Sequence, residues 1–89
     1  MKHIFIINPT AGKYDSRQRI YEMAEHLRTA HGLDVQCILT KKQGHATEIA
    51  QKLCQTGEPL RFYACGGDGT VNEVANGLAG FPNAAMTCI

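Results

Sequence analysis

Gly66, Gly67 and Gly69 enclose a single aspartate, Asp68, and lead into Thr70. Glycine at three of five positions suits one task well. A phosphate must approach backbone N–H groups closely, and side chains obstruct that approach. Removing Cβ clears the way and permits positive φ. Thr70 and Glu73 form a T-x-x-E pattern, the capping-box signature of a helix start. A helix beginning here points its positive end at the same place, so the segment reads as a phosphate-binding loop.

Two other phosphate loops fail at defining positions. A P-loop requires G-x-x-x-x-G-K-[ST], but Ile7 stands where the first glycine belongs, and Tyr14 follows Gly12-Lys13. A dinucleotide fingerprint requires G-x-G-x-x-G, and Asn72 occupies the last position after Gly67 and Gly69. Asp68 would repel a phosphate unless a cation stood between them. Mg²⁺ fits that place, because it accepts carboxylate, water and phosphate oxygens together. Asp68 is equally suited to capping the helix, and spacing alone leaves both readings open.

Asn8-Pro9-Thr10-Ala11-Gly12-Lys13 carries polar groups suited to ribose or phosphate, and its spacing equally fits an ordinary turn. Thr40-Lys41-Lys42 adds positive charge, read either as help for an anionic ligand or as a solvated basic loop. His3, His26, His31 and His45 are scattered with no metal-ligand or catalytic spacing, and no nucleophile–base arrangement is visible.

The elements that position these residues follow from periodicity. Ile4-Phe5-Ile6-Ile7 is a short, β-branched apolar run ended by Asn8-Pro9, as in a buried parallel strand. Asp15 or Ser16 is placed to cap a helix whose apolar face is Ile20, Met23, Ala24 and Leu27, stopped by Gly32. Leu33, Val35, Cys37 and Leu39 alternate as a second strand. Ala46, Ile49, Ala50 and Leu53 mark a second helix, ended by Gly57 and Pro59. Leu60 to Cys65 is a third strand; Val71, Val74, Ala75 and Leu78 form the face of a third helix, ended by Gly80 and Pro82. Ala84 to Ile89 opens a fourth strand. The order β-α-β-α-β-α-β predicts an α/β, three-layer sandwich with a mainly parallel sheet and right-handed crossovers. Ligands of such sheets bind beyond the carboxyl ends of the strands, where all three polar loops fall.

Length and composition set outer bounds. The 89 residues suffice for one small domain, and 44% hydrophobic with 19% charged residues argues against disorder. A net charge of +1 gives no reason to expect nucleic acid. Cys37, Cys54, Cys65 and Cys88 form no C-x-x-C pair, so small buried thiols are expected rather than zinc or redox chemistry. Met1-Lys2 leads straight into a short apolar run, unlike a signal peptide, and no stretch approaches the roughly 20 apolar residues of a membrane span. A cytoplasmic, reducing location is expected. The sequence ends inside an apolar strand, as a truncated piece of a longer protein would.

Three segments also resemble one known family. Ile7-Asn8-Pro9-Thr10-Ala11-Gly12-Lys13 is similar to the I-N-P-x-x-G opening of the diacylglycerol kinase catalytic domain. Thr40-x-x-x-Gly44-His45-Ala46 resembles its next segment, and Gly66 to Leu78 follows its GGDGT-x-NEV-x-NG-L signature almost without departure. The order is the family's, and the likeness spans essentially the whole chain, more in the manner of bacterial soluble lipid kinases than of multidomain animal enzymes. The resemblance implies a fold like the N-terminal domain of lipid and NAD kinases. It implies ATP- and Mg²⁺-dependent transfer of the γ-phosphoryl group to the hydroxyl of diacylglycerol or a related lipid. By the same carry-over, Asn8, Pro9, Thr10, Ala11, Gly12, Thr40, Gly66, Gly67, Asp68, Gly69, Thr70, Val71 and Asn72 contact ATP; the functional reading of Asp68 given above then has it hold Mg²⁺ through water. Residues 1–89 then form the nucleotide part of a larger enzyme, inactive alone. The lipid partner meets the missing C-terminal part, the full protein lies peripherally on the inner face of the membrane, and a homo-oligomer is possible. The family's later P-x-G-T-x-N-D segment and its general base lie outside this sequence. The alternatives are a non-catalytic nucleotide-binding module and a soluble-substrate kinase of the NAD kinase type. The Asn8-Pro9 opening and the Asn72-Glu73 to Asn76-Gly77 run favour the lipid family.

Overall fold

The structure is a computed structural model that describes residues 1–9 and 17–89. The helix caps expected at Asp15 or Ser16 lie outside the described residues. Strand β1 runs from Lys2–Ile7, helix α1 from Arg17–His31, β2 from Asp34–Leu39 and α2 from His45–Cys54. They are followed by β3 at Leu60–Cys65, α3 at Asp68–Leu78 and β4 at Ala84–Cys88. The sheet order is β2-β1-β3-β4 and every pairing is parallel. The expected α/β sandwich is therefore present.

The chain leaves β1 for β2 on one side and then crosses back to place β3 on the other side. Right-handed crossovers in opposite directions must put their helices on opposite faces. Accordingly, Ile20 and Ala24 of α1 pack with Phe5, Ile7, Val35 and Cys65. On the other face Ala46, Ala50 and Cys54 of α2 and Val74 of α3 pack with Ile4, Ile6, Leu60, Phe62 and Ala64. Strand β1 contributes to both faces, which explains its continuous apolar run.

Helix faces depart from periodicity at two places. Met23 is 41% exposed, because α1 covers β2 and β1 and leaves Met23 at the open flank towards Ile89. In α3 the buried stripe is Thr70, Val74 and Gly77, and Ala75 is exposed. Gly77 wins that place because α2 lies against it: a Cβ there would sit 2.6 Å from the Ala50 Cβ and 2.8 Å from the Thr47 carbonyl oxygen. Cys54 and Cys65 are buried as expected, Cys37 is half-buried, and Cys88 is exposed near the end of the edge strand.

Polar side chains close the open half of the α1 face. His3 Nδ1 lies 2.8 Å from the Tyr63 hydroxyl, Tyr63 stacks on Phe5 at 4.3 Å between centroids, and Arg61 donates to Thr87 at 3.0 Å. Burial lowers the His3 pKa, and the N-terminal ammonium and the Arg61 guanidinium add to that, against a smaller opposing pull from Asp34. An imidazole that protonates less readily in the fold lets the unfolded chain take up the proton first. Its contribution to stability is present above the ordinary value of about 6.5 and is lost as pH falls through the lowered folded value. An NMR titration should find His3 titrating below about 6.5; a value at or above it would show that His3 is not shielded as described.

Candidate functional site

All four strands are parallel, so the loops after β1, β2 and β3 open on one edge of the sheet. The connections from β1 and β3 then go to opposite faces, and open α/β sheets bind ligands at such a switch point, beyond the carboxyl ends of the strands. The loops are drawn together by main-chain bonds that extend the ladder. Asn8 N–H donates to the Cys65 carbonyl at 2.9 Å, and Thr40 N–H donates to the Ile7 carbonyl at 2.9 Å. The Thr40 hydroxyl reaches the same Ile7 oxygen at 3.4 Å, and Thr40 is buried.

Gly66 is where the first and third loops touch. Its φ is +149°, and a Cβ would lie 2.6 Å from the Thr70 Oγ1 and 2.8 Å from the Asn8 Cβ. Gly67 follows at φ 84° as the N-cap of α3 and faces open space. The first main-chain bond of the helix runs from Val71 N–H to the Gly67 carbonyl at 3.1 Å. The amides of Asp68, Gly69 and Thr70 precede it and have no carbonyl within the helix to bind. They form the positive end of α3, with glycine on either side of Asp68, and a Cβ at Gly69 would meet nothing within 4 Å among the described residues. Such a helix end has the charge and the room that an anion needs.

The capping-box expectation is corrected here. Helix α3 begins at Asp68 and has no side-chain cap bond, and Thr70 lies inside the first turn. The Thr70 hydroxyl turns back to the Gly66 carbonyl at 3.4 Å. The Glu73 carboxylate accepts instead from the Gly44 N–H of the preceding loop at 3.0 Å. Asp68 is not a cap either: it is the first helical residue, exposed, and no described residue hydrogen-bonds or ion-pairs to its carboxylate.

A cleft of about 340 Å³ lies beside this helix end, lined by Asn8, Pro9, Thr40, Lys41, Lys42, Gln43, Ala46, Thr70 and Glu73. The structure thus brings Asn8, Pro9, Thr40 and Thr70 together and sets Gly66 to Gly69 at the head of the same helix. Thr10, Ala11 and Gly12 lie outside the described residues. Val71 turns its side chain into the core on the α2–α3 face, and Asn72 is exposed on α3; neither lines the cleft. Cys65, directly before the loop, is buried, and burial pushes its thiol pKa up to about 12, which removes it as a nucleophile.

A sequence profile of the diacylglycerol kinase catalytic domain matches residues 2–89. The chain belongs to the diacylglycerol kinase catalytic domain family. A diacylglycerol kinase of Staphylococcus saprophyticus is 42% identical over 79 residues, covering 88% of this chain and 25% of that protein. Sphingoid long-chain bases kinase 1 of Arabidopsis thaliana is 35% identical over 81 residues, covering 86% of this chain and 10% of that protein. A crystal structure of a diacylglycerol kinase from Bacillus anthracis superposes with a TM-score of 0.74 at 32% identity, over 99% of this chain and 32% of that one. The chain therefore spans a quarter or less of the length of these two curated relatives.

Within this member of the diacylglycerol kinase family, sequence reasoning missed the place of Glu73. Its signal was present in the motif and was assigned to a local cap. Among the described residues no group of three or more His, Cys, Asp or Glu side chains is placed to hold a metal. Asp68 alone at this helix end suits a cation that arrives with phosphate and water ligands, as Mg²⁺ does, rather than one held in a protein cage. The described residues therefore fit a magnesium nucleotide: three amides, two exposed lysines on the cleft and one carboxylate at the head of α3.

Proposed function

We propose that residues 1–89 are the ATP-binding part of a longer lipid kinase, which transfers the γ-phosphoryl group to the hydroxyl of diacylglycerol or a related lipid. The observation that carries this reading is the amide end of α3, which no described residue obstructs, set beside a cleft beyond the strand ends in a chain of this family. The names of the relatives, diacylglycerol and sphingoid base kinases, support a lipid acceptor over a soluble one.

Each group then has a task. The amides of Asp68, Gly69 and Thr70 hold phosphate oxygens, and Lys41 and Lys42 raise the local attraction for anions. Asp68 takes the cation through water. Bound Mg²⁺ supplies neutralisation of the charge that develops on the transferring group. The buried Thr40 hydroxyl ties its loop to β1 at the wall of the cleft. Among the described residues none is assigned as the general base, so deprotonation of the lipid hydroxyl is given to another part of the enzyme and residues 1–89 alone are inactive. No helix among the described residues is long and apolar enough to cross a membrane, and the lipid is proposed to be met at the membrane surface by the full protein.

The test is a panel of lipid alcohols with labelled ATP and the intact protein. Incorporation into diacylglycerol or a related lipid is expected; labelling of soluble acceptors only would overturn the lipid assignment. Gly69→Ala tests the amide end of α3 itself. Its φ is not left-handed and its surroundings are open, so the methyl should leave stability unchanged or raise it by up to about 1 kcal/mol. The same methyl intrudes where phosphate must approach, and affinity for Mg-ATP should fall about tenfold or more, read by calorimetric titration. Wild-type affinity in Gly69→Ala would detach this loop from the nucleotide.

A further inference from the structure

Helix α2 is entered through its N-cap Gly44, which is left-handed at φ 84° and supplies no side-chain cap. Its N-terminus nevertheless has a fixed partner, one residue of α3. Glu73 Oε1 accepts from Gly44 N–H at 3.0 Å, and the Glu73 carbonyl accepts from the Thr47 hydroxyl at 2.7 Å. The carboxylate sits at the positive end of α2, where a negative charge is stabilised. The segment between Thr40 and the helix is folded on itself as well. Lys41 N–H donates to His45 Nδ1 at 2.9 Å, and His45 N–H donates to the Lys42 carbonyl at 3.2 Å. Lys41 and Lys42 are thus carried on a compact turn, and the point that fastens this turn to α3 is Glu73.

Glu73 also lines the cleft with Thr70, one turn beyond the amide end of α3. A carboxylate facing a phosphate site is repulsive unless its charge is answered. Here it is answered by the Gly44 amide and the α2 dipole, so it serves as a strut between the two walls rather than as a competitor for the ligand.

We propose that Glu73 is a positioning residue for the nucleotide. Its carboxylate locks the Lys41–Lys42 turn to α3, and so sets the basic wall of the cleft at a fixed distance from the α3 amides. The inference rests on the nucleotide-binding reading of the cleft. It assigns Glu73 no contact with the reacting atoms. What the interaction requires is reach and an acceptor oxygen rather than negative charge, and that separates this role from metal ligation.

The experiment compares Glu73→Ala, Glu73→Gln and Glu73→Asp in the intact protein, with Mg-ATP affinity, KM for ATP and kcat as readouts. Glutamine keeps the reach and an acceptor oxygen. Aspartate keeps the charge and loses about one methylene of reach. Loss of the hydrogen bond that orders a binding wall is expected to raise Kd and KM for ATP about tenfold in the alanine and aspartate variants, with kcat within about threefold of wild type. Glutamine should restore both to within a few-fold. If alanine fails to fold, the glutamine and aspartate pair still decides, because the predicted order is set by reach. A fall in kcat that aspartate rescues and glutamine does not would overturn the proposal in favour of a charged catalytic or metal-binding role. Unchanged affinity in all three, with only a lower unfolding midpoint, would reduce Glu73 to a structural tie. Failure of the wild-type protein to bind Mg-ATP would instead overturn the nucleotide reading on which the proposal stands.

Discussion

Asp68→Ala in the intact protein is expected to lower turnover by about 10²–10³-fold while leaving the unfolding midpoint almost unmoved. The two halves of this result have separate causes. Asp68 is exposed at the first position of α3, and no described side chain or amide depends on its carboxylate. Its loss removes only a favourable charge at a helix N-terminus, roughly 0.3–1 kcal/mol. The activity loss is larger because phosphoryl transfer depends on neutralising charge that develops during the reaction, and a misplaced cation fails at that moment. Asp68→Asn, which keeps size and removes charge, should behave like alanine. Steady-state turnover with saturating Mg-ATP is the measurement. Wild-type turnover in either variant would remove Asp68 from the mechanism.

The second large effect is on the fold. Gly77→Leu should destabilise the protein by about 3 kcal/mol or more, and Gly77→Ala by a smaller but measurable amount. Alanine is intrinsically better than glycine inside a helix by about 1 kcal/mol, so propensity alone predicts the opposite sign. Packing decides against it. The added Cβ would lie 2.6 Å from the Ala50 Cβ and 2.8 Å from the Thr47 carbonyl oxygen, which belong to a neighbouring helix rather than to a flexible side-chain end. Relief requires α2 and α3 to move apart. The same movement pulls Thr47 and Gly44 away from Glu73, so nucleotide affinity should fall together with stability. Denaturant unfolding reads the first and calorimetric titration the second. An unchanged midpoint in Gly77→Leu would show that the helices are not in such close contact.

Gly77 and Gly69 belong to one helix and one motif, yet opposite outcomes are expected for the same change to alanine. At Gly69 no described residue fills the space, which the proposed nucleotide would use; at Gly77 the space is filled by α2. Helix propensity treats the two alike.

Much of this chain is written in local pattern. The short apolar runs at Ile4 to Ile7 and Leu60 to Cys65 specify strands because β-branched and aromatic residues crowd a span too short for a helix, and the observed strands cover them. Gly32 and Gly57 mark chain reversals where positive φ is used, at 65° and 78°. The glycine loop and the helix that follows it were legible because glycines and the apolar face of α3 lie within a few neighbouring residues, and the phosphate-binding reading proposed for them rests on that local arrangement.

Contacts distant in sequence were decided only by the tertiary structure. Strand order β2-β1-β3-β4 depends on which side of β1 each crossover lands, and no residue pattern records that choice. The meeting of Gly66 with Asn8 follows from that order, since β1 and β3 become neighbours. Thr70 and Glu73 satisfy a local capping rule, but Gly44, 29 residues away, presents an amide that the Glu73 carboxylate takes instead. Ala75 fits the helical stripe by period and is exposed, because the close approach of α2 selects the face carrying Gly77. Local sequence pattern thus determined the elements and the glycine turn between β3 and α3. Packing of α2 on α3 decided which residues form the wall opposite it, because side-chain partners across an interface are set by distance in space rather than along the chain.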